Sequence, residues 1–208
     1  LEDKEGWHGR ALSEEDYQKA LNQLGKVDRS IRGEIKKPEA IKLQPQNSNL
    51  KIPTKNLKVP YKIGEDIATR KAYGETLVRL GEIKQNVVGL YADVKNSTFS
   101  ELFAKKYPDR FFEMFIAEQN MIGTALGLSK RGKIPFVSTF AVFFTRAFDQ
   151  IRMSQYSKSN IKFVGSHSGV SIGEDGASQM GLEDIAMFRT LLECVVLYPS
   201  DGISTEKL

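Results

Sequence analysis

The sequence has few of the residues that build covalent or metal-bound scaffolds. Its 208 residues include one cysteine, Cys194, and two histidines, His8 and His167. A single cysteine excludes an intramolecular disulfide and any zinc site built on several cysteines. Two histidines exclude a metal site built on three of them.

Long apolar runs and an excess of one charge are absent as well. No stretch of about 18 apolar residues could span a membrane, and the charged first residues do not resemble a secretory signal. The 30 basic and 26 acidic residues are interspersed and leave a net charge of +4, which does not favour nucleic acid as a partner. With 40% hydrophobic and 27% charged residues, the composition is that of a globular protein.

The first 62 residues differ from the rest of the sequence. Ser13 precedes an apolar pattern with helical spacing, which predicts a capped helix that ends near Gly25. Residues 26–62 contain four prolines and few large apolar side chains, which argues against a packed core. We interpret residues 26–62 as an interdomain linker, and a poorly packed extension is the alternative.

From residue 63 onward, strand and helix patterns alternate. Short apolar runs predict strands, and segments with helical spacing separate them. This alternation predicts an α/β fold with a doubly wound, mainly parallel sheet that is incomplete at the C-terminus of the sequence. The predicted strands cover residues 87–92, 110–116, 134–139, 161–165 and 194–198, and the predicted helices cover residues 66–81, 98–107, 119–128, 141–153 and 182–191.

Residues that follow the predicted strands are the first candidates for a site, because parallel sheets bind ligands beyond the carboxyl ends of their strands. Glu118 opens the helix after the second strand, where free amide groups favour a carboxylate; an ordinary first-turn glutamate is the alternative. Phe140 and Phe143 follow the third strand, where aromatic rings either fill the core or hold a flat heterocycle. His167 lies in a glycine-rich loop after the fourth strand, whereas Cys194 lies in an apolar run and is expected in the core.

Several motifs, taken together and in order, resemble the pyrimidine-binding domain of transketolases of the animal-like branch. They lie at residues 68–74, 93–99, 116–121, 138–152 and 165–176. Residues 2–9 resemble the end of the diphosphate-binding domain of the same family. The resemblance therefore divides the sequence into the tail of a diphosphate-binding domain (1–25), a linker (26–62) and a truncated pyrimidine-binding domain (63–208).

The resemblance implies an enzyme that transfers a two-carbon ketol unit from a ketose phosphate to an aldose phosphate, with thiamine diphosphate and Mg²⁺. Glu118 is implied to hydrogen-bond N1′ of the aminopyrimidine and to act as its proton donor. No metal site is expected in this chain, because the family's magnesium ligands precede the matched residues. The implied cofactor contacts are His8, Glu118, Phe140, Phe143 and Gln179, and the implied substrate contacts are His8, Arg70, Ser97, His167 and Asp175.

The resemblance also implies partners. The family's active site lies between two subunits, so we expect a homodimer that binds sugar phosphates of the pentose phosphate pathway in the cytoplasm, with neither nucleic acid nor membrane as a partner. These 208 residues alone are expected to be an inactive part of a larger transketolase. A subunit of another thiamine diphosphate enzyme and a non-catalytic transketolase-like protein are the alternatives.

Overall fold

The computed structural model describes residues 12–26, 28–30, 33, 60–62 and 64–208. The chain divides into two compact units, residues 1–40 and residues 41–208. His8 and nearly all of the predicted linker lie outside the described residues. Among the residues that are described, no helix is long and apolar enough to cross a membrane.

The first unit contributes one described helix, α1 (Glu14–Leu24). Its start is capped by Ser13, whose Oγ accepts a hydrogen bond of 3.2 Å from the backbone amide of Asp16. This bond satisfies one of the amides that a helix leaves free at its N-terminus. Gly25 follows the helix with φ 72°, a value that favours glycine. The predicted capped helix is therefore confirmed.

The second unit is built on a four-stranded sheet in the order β2–β1–β3–β4. All three pairings are parallel, so the carboxyl ends of the four strands lie at one edge of the sheet. The predicted α/β fold with a parallel sheet is thus confirmed. The strands are β1 (Val87–Tyr91), β2 (Phe111–Glu113), β3 (Ile134–Phe140) and β4 (Lys162–Ser166).

Helices cover both faces of this sheet. They are α2 (Thr69–Ile83), α3 (Glu101–Lys106), α4 (Glu118–Lys130), α5 (Phe148–Tyr156), α6 (Asp184–Arg189) and α7 (Gly202–Lys207). On one face, Leu90 and Val137 pack with Met121 of α4 and Ile151 of α5. On the other face, Val87 contributes to a smaller cluster with side chains of α2 and α3. Because helices cover both faces and neighbouring residues of a strand point to opposite faces, β1 is buried along its whole length.

The predicted fifth strand is wrong. Residues 194–198 form no strand, and Val195 is 78% exposed. An apolar run becomes a strand only where its backbone can pair with a neighbour, and composition does not supply that neighbour. Glu193 turns the chain with φ 59° directly before the run, and a groove of about 1370 Å³ is lined by both the run and β4. Cys194 is accordingly half-buried, and burial raises the pKa of its thiol.

The predicted helix at residues 141–153 consists of two helices of different kinds. A 3₁₀-helix covers Ala141–Ala147, and α5 begins only at Phe148. In a 3₁₀-helix, residues three apart lie in line along one face. The buried residues Ala141, Phe144 and Ala147 have this spacing, which explains why the tighter helix packs better here.

Candidate active site

The carboxyl edge of the sheet gathers several predicted site residues. Glu118 is the first residue of α4, which follows β2. Phe140 ends β3, and His167 directly follows β4. Because the strands are parallel and adjacent, these residues come from distant parts of the chain to the same side of the sheet. The structure therefore places Glu118, Phe140 and His167 at this edge, and their roles stay a prediction.

Glu118 has an unusual environment for a first-turn glutamate. The residue is only 4% exposed, and its Oε2 has no hydrogen-bond partner in the described part of the chain. A nitrogen of the Arg146 guanidinium lies 3.4 Å from Oε2, close enough for an ion pair but without hydrogen-bond geometry. A buried polar atom without a partner costs about 1–3 kcal/mol. Oε2 is thus suited to a ligand that offers an N–H group or shares a proton.

The two phenylalanines form a stack of parallel aromatic rings. The rings of Phe140 and Phe143 have centroids 5.1 Å apart and planes within 5° of each other. The His167 ring packs against Phe140 at a centroid distance of 4.2 Å, and Phe140 is only 7% exposed. Phe143 and Arg146 lie three residues apart on the 3₁₀-helix and therefore share a face. Phe143 thus lies on the same helix face as the arginine that pairs with Glu118.

Arg70 connects two loops of this edge. Its guanidinium donates to the backbone oxygen of Ser97 over 3.1 Å and contacts Nε2 of His167 at 3.0 Å. Since a guanidinium only donates, Nε2 of His167 accepts this bond, and the ring proton belongs on Nδ1, 2.8 Å from Oγ of Ser166. The structure therefore brings together three of the residues predicted to bind substrate.

The imidazole of His167 is held neutral by its surroundings. Burial lowers its pKa, the positive charge of Arg70 lowers it further, and the carboxylate of Asp175 opposes both effects. A neutral ring is consistent with an Nε2 that accepts from Arg70.

The remaining predicted residues are held less firmly. Asp175 is exposed in a short 3₁₀-helix, Gly173–Asp175, and Gln179 is half-buried at the end of the next one, Ala177–Gln179. The side-chain oxygen of Gln179 accepts a hydrogen bond from its neighbour Ser178. Within the described residues, no hydrogen bond joins Asp175 or Gln179 to Glu118, Phe143 or Arg70. Their place in the site therefore stays a prediction.

Sequence reasoning missed a polar contact beneath Arg70. The hydroxyl of Tyr73 lies 2.6 Å from Oγ of Ser138, a buried residue two positions before Phe140. Burial raises the pKa of the Tyr73 phenol, so the group remains protonated. This contact joins the first turn of α2 to β3. Tyr73 lies about one helical turn after Arg70 and therefore shares its face of the helix. This spacing is the one signal in the sequence that could have indicated a role for Tyr73 near the site.

A second missed residue supports the loops before Ser97 and Glu118. Oε1 of Glu113 accepts hydrogen bonds from the backbone amides of Asp93, at 3.2 Å, and of Phe115, at 2.8 Å. Both amides belong to residues with a left-handed backbone, φ 53° for Asp93 and φ 54° for Phe115. Such conformations are strained for residues with side chains. The carboxylate of Glu113 therefore stabilises two turns, and the second of them explains why β2 is shorter than predicted.

Comparison with known proteins agrees with this architecture. A family profile described as the pyrimidine binding domain of transketolase matches residues 65–208. Human transketolase is 50% identical over 213 residues, which cover 100% of this chain and 33% of the human protein. The mouse protein called transketolase-like protein 2 is 52% identical over 207 residues, covering 99% of this chain and 33% of that protein.

Solved structures show the same fold. A split gene transketolase described as an inactive beta4 tetramer has a TM-score of 0.60 and 49% identity, over 68% of this chain and 46% of that chain. Transketolase from Leishmania mexicana has a TM-score of 0.64 and 28% identity, over 72% of this chain and 23% of that one. The sheet and the matched residues define a pyrimidine-binding domain. The chain belongs to the transketolase family, and it spans about a third of the length of the curated relatives it matches.

Proposed function

We propose that this chain supplies the pyrimidine-binding part of a transketolase active site. The reaction transfers a two-carbon ketol unit from a ketose phosphate to an aldose phosphate and uses thiamine diphosphate with Mg²⁺. Glu118 carries the proposal, because its buried Oε2 lies at the start of α4 without a hydrogen-bond partner among the described residues. The Mg²⁺ ligands are expected outside this chain.

In this function, Glu118 holds a proton that it shares with N1′ of the aminopyrimidine. The bound cofactor supplies a thiazolium carbon that becomes a nucleophile once its proton has been removed. The ring of Phe143, backed by the buried ring of Phe140, offers an apolar face that would exclude water from the aminopyrimidine, and burial of Glu118 strengthens its hydrogen bond. Gln179 and His8 complete the proposed cofactor contacts.

Four other residues are proposed to bind the sugar phosphate. Arg70 presents an exposed guanidinium, a planar group that suits a phosphate, next to the backbone of Ser97. The carboxylate of Asp175 can accept hydrogen bonds from sugar hydroxyl groups, whereas Nε2 of His167 can do so only in place of its bond from the Arg70 guanidinium. His8 is proposed to reach the substrate from the diphosphate-binding domain.

A second subunit is proposed to cover the site. Phe115 and Ile116, three and two residues before Glu118, are exposed apolar side chains. Exposed apolar groups beside a site favour contact with another protein surface. We infer a homodimer in the cytoplasm. A non-catalytic role is the second candidate, because transketolase-like proteins are also about half identical to this chain.

The test uses the full-length protein with xylulose 5-phosphate and ribose 5-phosphate. We expect turnover in the wild type and a loss of about 10²–10⁴-fold in Glu118→Gln, because an amide cannot share the proton. Glu82→Gln, at an exposed carboxylate paired with Lys106, is the control and should keep wild-type turnover. Turnover that survives in Glu118→Gln would remove Glu118 from the mechanism, and cofactor binding without turnover in the wild type would favour the non-catalytic role.

A further inference from the structure

Arg146 lies where a ligand must approach Glu118. It is placed on the same face of the 3₁₀-helix as Phe143, and its guanidinium is the group nearest to Oε2 that carries a positive charge. A cation at 3.4 Å offsets part of the cost of burying the carboxylate. The guanidinium thus acts as the counter-ion of Glu118 in this structure.

The ion pair between Arg146 and Glu118 is asymmetric. The Glu118 side chain is 5% exposed, whereas that of Arg146 is 57% exposed. In the described part of the chain, no hydrogen bond holds Arg146, either to Glu118 or to any other residue, and Oε2 remains unsatisfied. Ion pairs with one exposed and loosely held partner contribute little and break easily. Glu118 is therefore fixed, and Arg146 is free to turn toward solvent.

The chemistry proposed above conflicts with a permanent pair. Glu118 must share a proton with the aminopyrimidine, and the Arg146 guanidinium lies 3.4 Å from the buried oxygen that would share it. The ring nitrogen and the guanidinium would also compete for the same oxygen atom. The aromatic rings of Phe140 and Phe143 are already stacked, so Arg146 is the part of this face that has to move.

We propose that Arg146 is a displaceable counter-ion, which neutralises Glu118 in the cofactor-free protein and leaves Oε2 when the aminopyrimidine binds. The inference rests on the proposed binding of thiamine diphosphate. Arg146 thereby opposes cofactor binding to a small extent and prevents an unpaired buried charge in its absence. It does not take part in the transfer reaction itself.

The test is the dissociation constant of thiamine diphosphate with Mg²⁺, measured by calorimetry on the full-length protein. We expect Arg146→Met to bind the cofactor about fivefold more tightly, because no ion pair has to be broken. Arg146→Lys, which keeps the charge, should stay near the wild-type value. Arg152→Met is the matched control, since Arg152 is a similarly exposed arginine paired with Asp149 on α5, and its removal should change nothing.

A double-mutant cycle separates this role from a general effect on folding. In Glu118→Gln, the side chain carries no charge to neutralise, so adding Arg146→Met should leave the dissociation constant unchanged. An equal or weaker affinity of Arg146→Met in the wild-type background, with Arg152→Met unaffected, would overturn the displacement. A wild-type protein that fails to bind thiamine diphosphate would instead overturn the proposed function, on which the displacement depends.

Discussion

The two groups of candidate residues differ in what holds them in place. Glu118, Phe140 and Arg70 lie on helices or strands and are held by buried neighbours or by bonds between elements. Asp175 and Gln179 lie on the exposed loop between β4 and α6, and among the described residues the side chain of Gln179 bonds only within that loop. Sites on packed elements are positioned more accurately than sites on loops. We therefore expect the first group to be preformed and the second to be ordered by ligands.

Gly74→Ala should disturb the packed group most. A Cβ at this position would lie 2.4 Å from the backbone oxygen of Phe99 and 2.8 Å from its Cβ. The backbone of Phe99 cannot move aside as a flexible side chain can. We therefore expect the free energy that holds α2 in place to fall by about 3 kcal/mol. Hydrogen exchange of the α2 amides in the full-length protein measures it.

Gly123→Ala is the control for this variant. A Cβ at Gly123 would meet nothing within 4 Å, and alanine favours a helix by about 1 kcal/mol over glycine. Exchange from α4 should therefore slow slightly or stay the same. If the α2 amides of Gly74→Ala exchanged as slowly as those of the wild type, the close contact with Phe99 would not be what holds α2, and with it Arg70, in place.

Tyr73→Phe should have the next largest effect. It removes the hydroxyl that meets Ser138 Oγ at 2.6 Å and leaves a buried hydroxyl without its partner, which costs about 1–2 kcal/mol. Urea unfolding should show this loss, and Tyr156→Phe, at an exposed tyrosine, should not. Adding Ser138→Ala should restore part of the stability, because both polar groups are then gone. No restoration would mean that Tyr73 acts through its packing alone.

The titration of His167 compares the two groups directly. Its pKa is lowered first by burial and then by Arg70, while Asp175 raises it less. Arg70→Gln should therefore move the pKa of His167 up by more than Asp175→Asn moves it down, as followed by NMR. An equal or larger change in Asp175→Asn would show that the loop is held as firmly as the helix.

The same shift predicts a dependence of stability on pH. Because the folded state lowers the pKa of His167, the unfolded chain binds a proton more readily. The contribution of His167 to stability is full above the pKa of an unfolded histidine, about 6.5, and is lost as the pH falls below it. His167→Gln should flatten this part of the stability profile.

Gln179→Ala should have the smallest effect on stability. The side chain is half-buried and bonds only to its neighbour, so we expect a change within about 0.5 kcal/mol. Affinity for thiamine diphosphate should nevertheless fall if Gln179 contacts the cofactor. Ser178→Ala, which removes the donor to Gln179, is the control. A large loss of stability in Gln179→Ala would place this residue in the packed group.

The sequence predicted most of the fold because burial leaves a clear pattern. The predicted bounds of β1, β3 and β4 lie close to the observed ones, and β1, which is buried along its whole length, reads as an apolar run. The same rule failed at residues 194–198, where the run is apolar but has no strand beside it. The 3₁₀-helix was missed because its spacing of three differs too little from that of an α-helix.

The contacts within the candidate site were harder to predict from the sequence than the fold. The order of the strands places Glu118, Phe140 and His167 on one edge, and this follows from alternation alone. Roles for Arg70 and Ser97 followed only from the family resemblance. Arg70 is 27 residues from Ser97 and 97 residues from His167, and no local sequence pattern indicates contacts over such separations. Arg146 and Glu118 meet because of a helix type that was not predicted. Contacts of this kind depend on tertiary structure.

The open side of β4 has a consequence for handling the protein. Among the described residues, β4 pairs only with β3, so one row of its backbone donors and acceptors is left without a strand partner. An unpaired edge is a template on which another chain can form a strand, and such growth leads to aggregates. Lys162 is the one charged side chain of β4, and a charge at an edge opposes this kind of association. Replacing Lys162 with an apolar residue would therefore make the purified domain prone to precipitate, even though the lysine contacts no part of the proposed site.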